Sequence, residues 1–298
     1  MNRKSLRGSL LLLLGSAIWG AAFVAQRVGM DHLGPFSFNG IRMLLAGIVM
    51  IPVAAFIDRK KEPGARPDPK VQRKAGLLCG ILLFVASSLQ QMGLVTTTAG
   101  KAGFITALYV VLVPVLGIFL KRRTSAQVWI SVLIAVAGLY LLCIRAGEGL
   151  RLQTSDAYIL LCAFFFACQI MSIDHFAARV DGVKLSCAEF LVAGLISAIL
   201  SLLFETVNWS AVLQVIWPIL YVAVFSSCVA YTFQILAQRD SDPTVVTLLL
   251  SLESVFSVLA GAILLHDRLS GREYLGCLLM LAAVLLAQLP LRRKNGLQ

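Results

Sequence analysis

Apolar residues run along this chain in blocks of about twenty, divided by short polar stretches, and a helix of that length spans the hydrocarbon core of a bilayer. Lipid offers the backbone no hydrogen-bond partner, so a crossing segment must close its own bonds as a helix. Ten blocks meet the requirement: 8–28, 35–57, 75–95, 102–120, 126–144, 157–180, 185–204, 215–237, 243–265 and 274–289. The connections are short. The longest, Asp58–Lys74, carries Arg59, Lys60, Lys61, Arg66, Lys70, Arg73 and Lys74, while Pro63, Pro67 and Pro69 keep it from continuing a helix. Arg3, Lys4 and Arg7 ahead of Leu10–Leu14 imitate the start of a signal peptide. The apolar run continues past a signal core and no small-residue cleavage site follows, so the segment is expected to stay as a helix.

Composition agrees with the pattern. Hydrophobic residues make up 59% of the 298 positions and charged ones 14%, against roughly 45–50% and about 25% in ordinary soluble domains. Too few polar residues remain to cover a soluble surface, and the same apolar excess excludes disorder. The seven cysteines lie inside apolar runs with no CxxC pair, which marks them as small packing residues rather than a disulfide framework. The net charge of +11 adds orientation. Of the 26 Lys and Arg, Arg27, Lys101, Arg145, Arg151, Arg268 and Arg272 fall on one side of the ten-span arrangement, Arg42 lies within a span, and the rest fall on the other side. The richer side is expected to be cytoplasmic, which puts both termini there in a multi-pass plasma-membrane protein. These dispersed cations suit anionic lipid and form no basic face for nucleic acid.

The chain also repeats itself. Leu120-Lys-Arg-Arg-Thr-Ser-Ala-Gln-Val-Trp129 lies over Leu265-His-Asp-Arg-Leu-Ser-Gly-Arg-Glu-Tyr274, so that Arg123 meets Arg268 and Ser125 meets Ser270. Arg42-Met-Leu-Leu-Ala-Gly47 lies over Glu189-Phe-Leu-Val-Ala-Gly194. Each pair is separated by about half of the chain, which argues for a duplication with units at 8–144 and 155–290. Five spans is an odd number, so the second unit enters the membrane from the opposite face. The expected fold is an all-α integral membrane protein of ten transmembrane helices arranged as two inverted five-helix repeats. Two such units exchange conformations around a central site, which favours a carrier.

Polar groups at membrane depth need a partner or a wet cavity, and these are the candidate site residues. Glu253 stands near the middle of its block beside Thr244, Thr247, Ser251, Ser254, Ser257 and Gly261, spaced along one helix face. That face either borders a cavity, with Glu253 binding a cationic group or a proton, or packs closely with Glu253 as a hydrogen-bonded strut. Arg42 and its repeat mate Glu189 sit roughly 6 and 8 Å on opposite sides of their span midpoints. Arg42 is placed either to hold a substrate carboxylate or to make a structural pair. Gln169 is near mid-span, with Asp174 and His175 further along; Asp174, His175 and Glu189 form a gating or structural polar cluster in which His175 is at a depth to pair with Glu189. Gln90 in the third span and Ser227, Tyr231 and Gln234 in the eighth add polar lining, and Trp19, Phe23, Tyr109 and Phe256 add aromatic walls. Pro52, Pro114 and Pro218 interrupt spans and are expected to kink them.

These residues resemble the drug/metabolite transporter superfamily, in its EamA-type branch of ten-helix carriers. The resemblance rests on Leu14-Gly-Ser-Ala-Ile-Trp-Gly-Ala-Ala-Phe23, on Arg42 followed by small residues, and on Thr98-Ala-Gly-Lys-Ala-Gly-Phe-Ile-Thr-Ala-Leu-Tyr-Val-Val-Leu-Val-Pro114. Leu252-Glu-Ser-Val-Phe256 and Leu264-Leu-His-Asp-Arg-Leu-Ser270 stand where that family tends to show Leu-Glu-Pro-Val-Phe and Leu-Gly-Glu-Arg-Leu-Ser. Ser254 therefore replaces a proline, and a kink beside Glu253 is expected to be missing or moved. The resemblance implies export or exchange of small metabolites such as amino acids, with no cofactor and with a proton as one option for coupling. The oligomeric state is not legible. Two other classes are weighed against a carrier. A flippase for lipid or lipid-linked substrates would use the same scaffold. An intramembrane enzyme would need converging nucleophiles, acid–base pairs or metal ligands; the three His lie in different segments with no HExxH, GxSxG or P-loop.

Overall fold

The computed structural model describes residues 3–59, 67–97, 99–122, 124–144, 153–264 and 270–289. Lys60, Lys61, Arg66, Arg123, Arg145, Arg151, His266, Asp267, Arg268 and Arg292–Lys294, which entered the topology and repeat arguments, lie outside the described residues. Helices run α1 (Arg3–Met30), α2 (Pro35–Arg59), α3 (Pro69–Leu94), α4 (Ala99–Ala107), α5 (Tyr109–Phe119), α6 (Ala126–Cys143), α7 (Thr154–Ala177), α8 (Gly182–Phe204), the short α9 (Trp209–Gln214) and α10 (Ile216–Tyr221). A π-helical segment (Val222–Tyr231) follows, then α11 (Thr232–Gln238), α12 (Pro243–Leu250), α13 (Glu253–Leu264) and α14 (Gly271–Gln288). Among the described residues nine stretches are long and apolar enough to cross a membrane, and Ala126–Leu142 is a shorter apolar helix. The fourth span is α4 with α5, the eighth joins α10 to α11 through the π segment, and the ninth is α12 with α13. The protein is an all-α integral membrane protein of ten transmembrane helices in two inverted five-helix repeats.

The polar stretches between blocks supply the helix starts. Asp68 and Asp242 each accept a backbone N–H at 2.8 Å ahead of a proline at the first helical position, the residue whose missing N–H costs nothing there. Ser125 caps α6 and Ser270 caps α14, the latter with Glu273 answering back to the Ser270 N–H at 2.7 Å. The two serines matched in the sequence repeat are thus the same structural element.

Burial runs inside out. Leu202, Phe119 and Leu278 are 79%, 79% and 64% exposed, while Asn39, Gln91, Glu189 and Ser227 are fully buried. In water that arrangement would be ruinous; in lipid it keeps polar side chains out of the hydrocarbon. The halves meet through matched helices, α2 against α8 and α6 against α14, and the packing of α3 on α7 is mirrored by that of the eighth span on α1. Close approach at the α2–α8 crossing needs glycine. A Cβ on Gly194 would stand 2.7 Å from the Leu44 nitrogen, and one on Gly47 would stand 2.6 Å from the Leu191 side chain. Gly47 and Leu44 are the repeat mates of Gly194 and Leu191, so each contact is the twofold image of the other.

Two of the three prolines place no interruption; Pro218 alone stands beside one, in the six-residue α10 that leads into the π segment. α2 runs through Pro52 and α5 through Pro114. The fourth span breaks instead at Leu108, where the Leu108 and Val111 amides bond three residues back rather than four. The ninth breaks at Ser251–Leu252, where Leu252 and Ser254 do the same. The ninth-span break thus needs no proline and falls on the N-terminal side of Glu253.

Candidate functional site

Both breaks open on the same place. Tyr109 begins α5 and Glu253 begins α13, and the Tyr109 hydroxyl donates to Glu253 Oε1 at 3.0 Å. This bond joins the two halves beside a cavity of about 50 Å³, room for a few waters as it stands. Trp19, Phe23, Arg42, Gln90, Tyr109, Gln169, Tyr231 and Glu253 all line it. They arrive from seven spans, and all but the half-buried Trp19 are buried. Inverted-repeat carriers place their sites in this way, at discontinuous helices near the bilayer midplane.

Charge in the cavity is left open. Arg42 Nε donates to Asn39 Oδ1 at 2.8 Å, and its guanidinium lies 6.0 Å from the Phe38 ring centroid. Among the described residues no carboxylate oxygen comes within ion-pair distance of Arg42, and no cation comes within that distance of Glu253. Aromatic rings fix the walls. The Trp19 indole donates to the Ser226 carbonyl at 3.1 Å, and Tyr231 packs edge-on against Trp19 and Phe190 with centroids 4.8 and 5.3 Å away. Side-chain amides complete the lining. Gln90 donates to Thr106 Oγ1 at 3.3 Å and Gln91 to Gln26; at the other end Gln234 donates to Gln238 Oε1 at 3.2 Å. Such a set offers a fixed cation, a fixed carboxyl, donors, acceptors and ring faces to one small molecule. Among the described residues no three His, Cys, Asp or Glu side chains cluster as metal ligands.

Five residues are placed differently from the expectation. Phe256 does not line the cavity and packs against the core beside Gly20. Ser251 does not face the cavity: its hydroxyl donates to the Leu248 carbonyl at 2.8 Å, and the break beside it turns Leu250 and Glu253 inward instead. Thr247 is satisfied in the same local way by the Thr244 carbonyl, so the small-residue stripe is packing. His175 does not pair with Glu189. Its ring meets Arg179 Nη2 at 2.5 Å and the Phe176 ring, while Glu189 Oε2 accepts from Gln169 Nε2 at 3.1 Å. Asp174 is held by Arg122 at 2.5 Å. Asp174, His175 and Glu189 therefore form no single cluster.

The cavity also holds Gln234, which the eighth span offered, and Gln26, Thr106, Phe166, Ile170, Ser226 and Leu250, which the sequence did not single out. Helical spacing was the available signal for most of them. Gln26 lies three residues after Phe23, Thr106 three before Tyr109, and Phe166 three before Gln169. Ser226 follows from the π segment, where a residue five before Tyr231 shares its face.

The sequence profile of the EamA-like transporter family matches residues 6–144 and 153–289. An uncharacterized transporter of Archaeoglobus fulgidus is 30% identical over 292 residues, covering 96% of this chain and 87% of its own length. The uncharacterized inner membrane transporter YedA of Escherichia coli is 25% identical over 91% of this chain and 87% of its own. The uncharacterized transporter YoaV of Bacillus subtilis is 22% identical over 93% and 95%. A crystal structure 19% identical in sequence superposes with a TM-score of 0.77 over 95% of this chain and 96% of that one, which establishes a shared fold.

Proposed function

Because the chain belongs to the EamA-like transporter family, a family of membrane transporters, we propose that it is a secondary carrier that exports or exchanges small polar or amphipathic metabolites, amino acids among them, by alternating access. The observation that carries this reading is the open pair of charges: Arg42 and Glu253 line one cavity at the junction of the inverted repeats, and neither is neutralised by the protein. A substrate bearing a carboxylate and an ammonium group completes both, and the aromatic walls take its apolar part. In this reading both termini are cytoplasmic in the plasma or inner membrane, as the distribution of cations along the chain supports.

Reconstituted vesicles test it. Efflux of a broad metabolite panel is compared for the wild type, Arg42→Ala and Glu253→Gln. A charge-assisted hydrogen bond contributes about 1.5–3 kcal/mol, so each variant is expected to lower the transport rate at limiting substrate by about tenfold or more. Wild-type vesicles that move none of the panel overturn the carrier reading.

A further inference from the structure

The substrate cavity leaves one buried carboxyl unused. Glu189 in α8 is fully buried and does not line the cavity. Its Oε2 accepts from Gln169, and its Oε1 has no hydrogen-bond partner at all. Among the described residues no Lys, Arg or His nitrogen lies within ion-pair distance. The titratable groups within electrostatic reach are the Cys79 thiol on α3 and the Tyr231 hydroxyl at the end of the π segment. Arg42 on α2 faces Tyr231 and the cavity. α11 carries no titratable side chain. On α7, Asp174 and His175 are engaged elsewhere, by Arg122 and Arg179. One neutral donor therefore holds this carboxyl, and the oxygen beside it waits for something.

That something has to be small and must tolerate a donor. A metal cation needs several oxygen ligands converging on it, yet Gln169 presents an N–H here, and α3 presses so closely that a Cβ on Gly80 would stand 3.1 Å from the Glu189 Cα. A proton meets both conditions. Gln169 then does more than satisfy the carboxyl, because it also lines the cavity. An amide has donors on one side and an acceptor on the other. Facing a carboxylate, Gln169 gives Glu189 its N–H and keeps its carbonyl for the cavity. Once the carboxyl is protonated, an O–H on Oε1 would face no acceptor, so the proton rests on Oε2 and Gln169 must turn so that its carbonyl accepts; its N–H groups then face the cavity. Adding one proton to Glu189 thus replaces an acceptor with a donor in the substrate's wall, with no change in the residues that hold the substrate's charges.

We propose that Glu189 takes and releases the coupling proton of this carrier and that Gln169, as a positioning residue, transmits its state to the bound substrate. The proton comes from cavity water past Gln169 and returns by the same way. This proposal rests on the carrier reading and adds the coupling ion to it. Glu253 meets the substrate's own cationic group in the cavity, so Glu189 is the carboxyl that can carry a proton while the substrate is bound.

The full chain in vesicles, with a radiolabelled L-amino acid mixture as probe, separates the two ideas. Counterflow is measured without a gradient, and accumulation under an imposed pH gradient with and without a protonophore. The wild type is expected to accumulate the probe and to lose about tenfold of that accumulation with the protonophore, while Glu189→Gln and Gln169→Met show no protonophore-sensitive accumulation. Accumulation by Glu189→Gln that still follows the gradient overturns the proposal, as does wild-type counterflow indifferent to pH; in both cases the carrier reading stands. Infrared titration of the purified protein needs no transport. A carboxylic C=O band that grows as the pH falls and is missing in Glu189→Gln supports the proton site, and a band untouched by that substitution overturns it whatever the vesicles do. If the wild type moves no probe and no other metabolite, the carrier reading falls, and the relay falls with it.

Discussion

Arg42 and Glu253 look into one cavity without neutralising each other, and an uncompensated charge at membrane depth is tolerated only where water or a ligand meets it. Tyr109 tunes that arrangement from the other repeat, through its single bond to Glu253 Oε1. Tyr109→Phe keeps the ring and removes the hydroxyl, at a cost of about 0.5–1.5 kcal/mol. The half-saturating substrate concentration in vesicles is expected to rise roughly 2- to 10-fold, with the melting temperature in detergent nearly unchanged; an unaltered concentration dependence removes Tyr109 from the site. Single polar residues inside long apolar blocks are conspicuous in sequence, which is why Arg42, Gln90, Gln169 and Glu253 were legible. Gln26 was not, although it sits one helical turn from Phe23, because a lone Gln near a span end is as readily placed in the headgroups. Ser251 was misplaced for a different reason: a register counted through an unbroken helix fails at a break.

The breaks are properties of elements rather than of residues, and they show what local sequence withholds. Pro52 and Pro114 advertise kinks, yet the interruptions fall at Leu108 and at Ser251–Leu252, where no proline stands. Packing explains the second. α1 comes so close to α13 that a Cβ on Gly20 would stand 2.7 Å from the Glu253 carbonyl and from the Ser257 nitrogen. Backbone atoms cannot step aside as a side-chain tip does, so even Gly20→Ala forces α1 and the break apart. Overpacking of this kind costs about 1–3 kcal/mol, and the melting temperature is expected to fall by roughly 2–10 °C. Gly271→Ala is the control, since nothing lies within 4 Å of its Cβ position; equal melting of the two variants would show that the α1–α13 contact is not tight. The α2–α8 glycines were more legible only because Gly47 and Gly194 occur in matched segments. No local pattern marks the ten-residue π segment, whose extra turn width is filled by contacts from distant spans, such as the Trp19 indole on the Ser226 carbonyl.

At the scale of the whole molecule, what the sequence carries best is what accumulates over many residues: block length gives ten spans, and an odd number per repeat gives inversion. What it carries least is which ends are tied. The fourth span is fastened to α7 at both membrane faces, by Lys101 to Asp156 at 2.6 Å where both begin and by Arg122 to Asp174 at 2.5 Å where both finish. Alternating access requires the repeats to part at one face while they close at the other, so if the parting surface of the proposed carrier runs between the fourth span and α7, one of the two fastenings must open in each cycle. Cysteine pairs make this testable in a background with the native cysteines replaced. Arg122→Cys with Asp174→Cys, and separately Lys101→Cys with Asp156→Cys, are oxidised in vesicles and then reduced. The disulfide that bridges the moving face is expected to lower transport by at least about tenfold, because covalent closure holds one conformation, and reduction is expected to restore it; binding of the same substrate, measured in detergent, should persist. Full transport with both disulfides formed would mean that the fourth span and α7 move as one body, and that the parting surface lies elsewhere, between α2 and α8 or between α1 and the eighth span.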